Sequence, residues 1–238
     1  MLGLDSYIIR ARLFPAILAV APAIALGFVL VVSSGQSFGM PQVLTTAAVA
    51  VLFFGFSDLA RRSGKRTERS IFASSGGRPF PTVLRHSESI IDEDSKADYH
   101  DYLSKKIGNA PTKQEEIDDP AKADRYYVRA GNWLRERTRD KTKFKVLFEE
   151  NVIYGYRRNL YGLKWAGIAL NALVVFAGWW FLYRDHDSAL WQYGSVFFVA
   201  VLHALYFIFA VTKVSVIEAA QQYGRQLVLA IETLQADT

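Results

Sequence analysis

Apolar and charged positions are sorted into long blocks along this chain rather than mixed. Residues 13–32 carry no charged side chain, and at ~1.5 Å per residue a helix of that length matches the roughly 30 Å hydrocarbon core of a bilayer. Pro15 falls in its first turn, where a missing N–H costs little, whereas Pro22 sits near mid-membrane and predicts a bend or a local packing site. A cleaved signal peptide is the competing reading, but the run is too long for one and no small-residue cleavage motif follows it. A Gly/Ser/Pro connection over 33–42 leads to a second apolar run, 43–57, which extends back through Met40 and carries the cluster Phe53, Phe54, Gly55 and Phe56. Residues 165–183 and 188–212 form a third and a fourth run without a charge. Trp165, Trp179, Trp180, Tyr183, Trp191 and Tyr193 fall near the ends of these runs, where amphipathic rings settle among headgroups. The pattern predicts four membrane-spanning helices arranged as two hairpins.

Between the hairpins the periodicity is helical, and no alternating strand pattern persists. Residues 95–107 place Tyr99, Tyr102, Leu103 and Ile107 on one side of a helix. Pro120 opens a longer helix at its first turn and is followed by the stripe Tyr126, Tyr127, Ala130, Trp133 and Leu134. A further helix around Phe144, Leu147, Phe148, Val152 and Ile153 runs toward the third span. Residues 74–81, Ser-Ser-Gly-Gly and then Arg-Pro-Phe-Pro, read as a loop on turn chemistry. After the fourth span, residues 214–234 continue with Gly224 as their one breaker. Ile217, Ala220, Gly224, Leu227, Ile231 and Leu234 are alternately three and four residues apart, the spacing of a coiled-coil seam. That seam predicts self-association of copies below the membrane, or packing on the chain's own charged domain. The expected fold class is all-α, with a first hairpin over 1–58, a helical cytoplasmic domain over 59–163, a second hairpin over 164–212 and a C-terminal cytoplasmic helix over 213–238.

Composition averages conceal this sorting: 51% of residues are hydrophobic and 14% aromatic, yet 22 of the 28 lysines and arginines lie within 59–163. The connection at 33–42 holds none, and that at 184–191 only Arg184. By the positive-inside rule the charged segment and both termini are cytoplasmic, in agreement with Arg10, Arg12, Lys213 and Arg225. Cysteine is absent, which excludes disulfides, thiol catalysis and cysteine-held metals. The histidines at 86, 100, 186 and 203 show no metal-ligand spacing, and no phosphate-binding loop, nucleophile elbow or kinase signature occurs. The expectation is a non-enzymatic protein with neither metal nor cofactor. Asn171 and His203 are the polar residues expected to avoid lipid, each facing a helix partner or lining a pore.

The charged segment itself divides into blocks of net +6 over 61–85, −6 over 88–124 and +6 over 125–158. Arg61, Arg62, Lys65, Arg66 and Arg69 abut a span and suit topology and anionic lipid. In the last block Arg125, Arg129, Arg135, Arg137, Arg139, Lys141 and Lys143 are interleaved with Tyr126, Tyr127 and Trp133. Guanidinium groups beside aromatic faces suit phosphates and stacked bases, so these residues are candidate contacts for a single-stranded oligonucleotide. A solvated helix face or a second headgroup contact is the plainer alternative.

Four runs carry a resemblance: Tyr-Ile-Ile-Arg-Ala-Arg-Leu-Phe-Pro-Ala at 7–16, Leu84-Arg85-His86, Leu-Arg-Glu-Arg-Thr-Arg-Asp at 134–140, and the stretch 147–160. Phe148-Glu149-Glu150-Asn151 and Gly155-Tyr156-Arg157-Arg158-Asn159 are the most specific parts. Over nearly its whole length the chain resembles a family of bacterial four-span membrane proteins that includes the membrane effector of the Hailong anti-phage defence system. The resemblance implies a homo-oligomeric ion channel of the bacterial inner membrane, with a tetramer favoured, gated by a bound nucleic-acid oligomer. Its opening would depolarise the infected cell, and a nucleotidyltransferase encoded nearby would supply the ligand. The alternative from another class is a membrane anchor whose helical domain recruits a protein partner.

Overall fold

The computed structural model describes residues 6–33, 39–73, 78, 82–184 and 190–237. Most of the expected loop over 74–81, residues 34–38 of the 33–42 connection and the start of the expected fourth span lie outside the described residues. Every regular element among the described residues is helical. A first turn, Ser6–Ile8, passes through a π-helical turn, Ile9–Leu13, into α1 (Phe14–Ser33). Then follow α2 (Met40–Ala73), α3 (Glu93–Ile107), α4 (Lys113–Asp118) and α5 (Pro120–Arg137). The chain ends with α6 (Lys145–Arg184), α7 (Leu190–Leu205) closing in a π-helical turn (Tyr206–Ala210), and α8 (Lys213–Ala236). Among the described residues four stretches are long and apolar enough to cross a membrane: Ser6–Val32, Gln42–Ala73, Lys145–Arg184 and Tyr193–Ala210.

Two of these helices outrun their apolar segments. α2 has 34 residues and α6 has 40, about 50 and 60 Å at ~1.5 Å per residue, well beyond a hydrocarbon core. Residues 58–69 contain no proline, and Asp58 pairs with Arg62 across one turn at 2.8 Å. The chain divides into two compact units within α2 and α6, about ten residues beyond their apolar runs, and shortly after the fourth run. One unit is Met1–Arg69 with Gly155–Ser215, and the other is Ser70–Tyr154 with Val216–Thr238.

In the first unit, apolar clusters draw on all four spans. Ala19, Ala60, Leu160, Leu163, Phe207 and Val211 form one, and Ala23, Val29, Val174, Tyr193 and Val196 form the other. Small residues let the helices approach closely, as van der Waals packing in membranes favours. A Cβ added at Gly162 would lie 2.6 Å from the Gly64 nitrogen and 2.8 Å from the Ser63 carbonyl carbon, so α2 and α6 cross with their backbones in contact. Gly162→Ala should therefore cost about 1–3 kcal/mol of stability, because backbone has to move. Thermal unfolding of the detergent-purified protein measures it, and a melting point equal to wild type would refute the crossing.

Three polar side chains of this unit are matched within it. Asn159 is fully buried and donates its amide to the Ala11 carbonyl of the π turn at 2.6 Å. Arg158 donates to Glu68 at 2.8 Å, with both side chains largely withdrawn from solvent. Lys164 reaches the carbonyls of Ile208 and Val211 at 3.2 and 2.8 Å, satisfying acceptors that the end of α7 leaves open. Pro22 lies within an uninterrupted α1.

The second unit is built on well-capped helices. Asp92 accepts from Ser95 N–H at 2.8 Å, Thr112 and Glu115 form a reciprocal capping box, and Asp119 caps α5 with Pro120 at its first turn. The buried face of α5 is Ala123, Tyr127, Ala130, Gly131 and Leu134. α8 changes the sequence-based picture. Of the expected seam, Ala220, Gly224, Leu227 and Ile231 are buried inside this same unit. Tyr223 stacks parallel on Tyr154 with centroids 6.0 Å apart, and Glu232 accepts from the Tyr99 hydroxyl at 2.6 Å. The apolar stripe is thus filled from within the chain, with Ile217 and Leu234 half-buried at its ends.

Candidate nucleic-acid interface

Helical geometry sorts the candidate ligand contacts. At 100° per residue, Arg125, Arg129, Trp133 and Arg137 follow one another at four-residue intervals along one side of α5. The three arginines are exposed and Trp133 is half-buried. Arg137 holds its guanidinium 5.5 Å from the Trp133 ring centre. Trp133 meets Tyr102 of α3 edge-on, centroids 6.2 Å apart, and Lys106 lies 5.5 Å over Tyr102. The result is a ladder in the order Lys106, Tyr102, Trp133, Arg137, with Arg129 and Arg125 continuing its basic edge. Tyr102 and Lys106 join this ladder from the acidic block rather than the basic one. Their four-residue spacing on the helix over 95–107 was the available signal.

The other candidates are placed differently. Tyr127 does not stack outward, being fully buried with its hydroxyl donating to Glu116 at 2.6 Å. Tyr126 is half-buried against the same core. Arg135 folds back on its own helix, donating to the Gly131 carbonyl at 3.1 Å and to Asn132 at 2.7 Å. Arg139 pairs with Glu136 at 2.6 Å. Lys141 sits 5.0 Å over Phe148, and Lys143 bonds to Asp237 just beyond α8. Among the candidate pore residues, Asn171 is buried and donates to the Ala200 carbonyl of α7 at 3.0 Å. His203, one turn further along α7, is buried with its ring stacked on Phe207 at 4.2 Å. Asn171 thus faces a helix partner within the chain, whereas His203 stacks on a ring one turn along its own helix.

No protein-family model, curated protein or solved structure matches the chain. The geometry of the interface therefore stands on its own residues.

What holds α5 in place is a buried polar cluster around Glu116. Its carboxylate accepts from Tyr127, from the His86 N–H at 2.9 Å, and from the N–H and hydroxyl of Ser87 at 3.2 and 3.0 Å. Burial by itself would raise this carboxyl's pKa, but those four donors outweigh it and hold it below the usual value of 4.5. Arg85 forks onto Asp124 of α5 at 2.8 and 2.7 Å. His86 and His100 bond the carbonyls of Pro111 and Leu84 and meet edge-on at 4.6 Å. The Leu84-Arg85-His86 turn is thereby pinned to three helices. Burial pushes the His100 pKa below 6.5, partly offset by its bond to Leu84, while the neighbouring His86 and Lys96 charges push it further down.

Both shifts act in one direction with pH. The folded chain holds His100 and Glu116 less protonated than the unfolded chain does. Their stabilisation is complete above the unfolded values, 6.5 and 4.5, and is lost as pH falls through those windows. The unfolding midpoint of the second unit should fall on acidification in two steps. His100→Gln should remove the upper one, and an upper step unchanged in that variant would show that another group controls it.

Proposed function

We propose that this chain is a homo-oligomeric membrane channel, a tetramer in the simplest case, whose charged unit binds a single-stranded nucleic-acid oligomer that gates it. The observation that carries this reading is the row of exposed guanidinium groups, Arg125, Arg129 and Arg137, running beside the Tyr102 and Trp133 rings. Such a surface tracks a phosphate backbone with its charges and offers ring faces to unpaired bases. Two further features support it. α6 is one continuous helix that contributes residues to both units. α2 buries little of its apolar surface within the chain, with Leu44, Val51 and Phe54 exposed, leaving a face for lipid or for neighbouring copies.

In this reading the charged unit and both termini are cytoplasmic, the membrane is the bacterial inner membrane, and the ligand comes from a nucleotidyltransferase acting in anti-phage defence. The resemblance of Gly155-Tyr156-Arg157-Arg158-Asn159 and its companion runs to bacterial four-span effectors supports that context. The reading of the chain as an anchor for a protein partner draws on Ile117 and Val128, which expose 65% and 47% of their surface in the second unit. Ion flux from proteoliposomes separates the two. A channel changes its flux when short single-stranded DNA is added on the side of the charged unit. Flux that is absent and indifferent to the oligomer sinks the channel reading and leaves the anchor.

A further inference from the structure

Two charged rows lie side by side on the outer surface of the second unit. On α3, Asp94, Asp98 and Asp101 are exposed and follow one another at intervals of four and three residues, on the side opposite the buried Tyr99, Leu103 and Ile107. On α5, Lys122, Arg125 and Arg129 are exposed at intervals of three and four, opposite the buried Tyr127 and Leu134. From its first charge to its last each row advances about 10 Å along its helix. The rows are neighbours, since the edge-on contact of Tyr102 with Trp133 lies about one turn from Asp98 on one helix and from Arg129 on the other. Among the described residues none of the six charged side chains makes an ion pair. Like charges one turn apart destabilise a helix, and Lys122 stands in the first turn of α5, where the helix dipole disfavours a cation.

Taken from opposite ends, the rows match: four then three from Asp94, and four then three from Arg129. A surface that carries both is its own complement, because a two-fold axis lays the acids of one copy along the bases of a second, and the bases of the first along the acids of the second. Each exposed pair is weak in water. Copies already held in one membrane assembly meet at an effective concentration on the order of millimolar, where weak pairs suffice. We infer that this surface is a contact between copies of the chain, with Asp94, Asp98 and Asp101 of one copy on Arg129, Arg125 and Lys122 of the other, and that a nucleic-acid strand displaces it by taking the same cations. The inference rests on the proposed oligomer and its strand-binding row, and it supplies the contact that ligand binding changes.

The test uses two differently tagged full-length copies, co-produced and purified in detergent. One carries Ala97→Cys beside the acidic row and the other Ala121→Cys beside the basic row, both exposed positions. A bismaleimide should join the two copies, less as salt rises and less when oligothymidylate is added. Asp94→Lys, Asp98→Lys and Asp101→Lys in the first copy should cut the cross-linked fraction by roughly tenfold. Adding Lys122→Glu, Arg125→Glu and Arg129→Glu to the second copy should restore it, a rescue that a misfolded protein would not give. If no cross-link forms, or if it survives the first set of reversals, the contact between copies is wrong and the arginine row still stands as a strand site. A cross-link that passes reversal and rescue but persists with oligothymidylate bound overturns the displacement. If oligothymidylate does not bind at all, the strand-binding reading falls, and displacement with it, while reversal and rescue still decide the contact.

Discussion

Glu68→Ala should cost about 3–5 kcal/mol of stability, the penalty for stranding a buried partner charge. Arg158 donates to Glu68 at 2.8 Å, and the two side chains expose 13% and 8% of their surface. The same arginine donates from Nε to the side-chain Oδ1 of Asn159 at 3.3 Å, next to the bond from Asn159 to Ala11 and the Gly64·Gly162 crossing. Removing the carboxylate therefore loosens a node that joins the π turn, α2 and α6. The double replacement Glu68→Leu with Arg158→Leu should recover much of the loss, since a pair of matched apolar side chains leaves no charge unpaired. Chemical or thermal unfolding of the four variants in one detergent gives the coupling energy. Additive single effects would mean that the two groups do not act as a pair.

Reversing Arg129 and Arg137 to Glu should reduce oligonucleotide affinity on the order of 25-fold at ~0.1 M salt and lower the slope of log affinity against log salt by about 1.4, as expected for two lost phosphate contacts on a single strand. Trp133→Leu should behave differently, losing about 1–3 kcal/mol with the salt slope unchanged, because stacking releases no counterions. Neither arginine is in the core, so the folded state should survive the reversal. Anisotropy titrations over a range of salt distinguish the cases. A uniform loss with an unchanged slope after the arginine reversal would assign these side chains some other task.

The helices were legible because their causes are local. Runs without charge, Pro120 behind the Asp119 cap, and the stripe through Ala130 and Leu134 each declare an element within a few residues. What those elements touch was not legible. The three-and-four spacing of Ala220, Gly224, Leu227 and Ile231 states that α8 has an apolar face, not which surface covers it. The cover comes from residues as distant as Tyr99 and Tyr154, on the alternative of packing within the chain. Tyr127 carries the same ring as Tyr126, but one residue is 100° of rotation, enough to bring its hydroxyl to Glu116 in the core. Gly64 and Gly162 gave no signal in a hydropathy pattern, since a close crossing needs only the absence of a side chain at two sites 98 positions apart. The runs that carried the resemblance turn out to hold packing nodes: Gly155 close to Tyr7, Arg158 on Glu68, Asn159 on Ala11.

The absence of cysteine allows the arrangement of the chain across the membrane to be read with single thiols. Gln36→Cys between the first two spans, Asp101→Cys on the exposed side of α3 and Gln235→Cys at the end of α8 are treated in spheroplasts with a membrane-impermeant maleimide. Charge sorting predicts that position 36 is labelled at once, and that 101 and 235 react only after the membrane is opened. Rapid labelling at 101 in sealed spheroplasts would put the arginine-rich unit outside the cell, where no intracellular nucleic acid could reach it, and would contradict the account at its base.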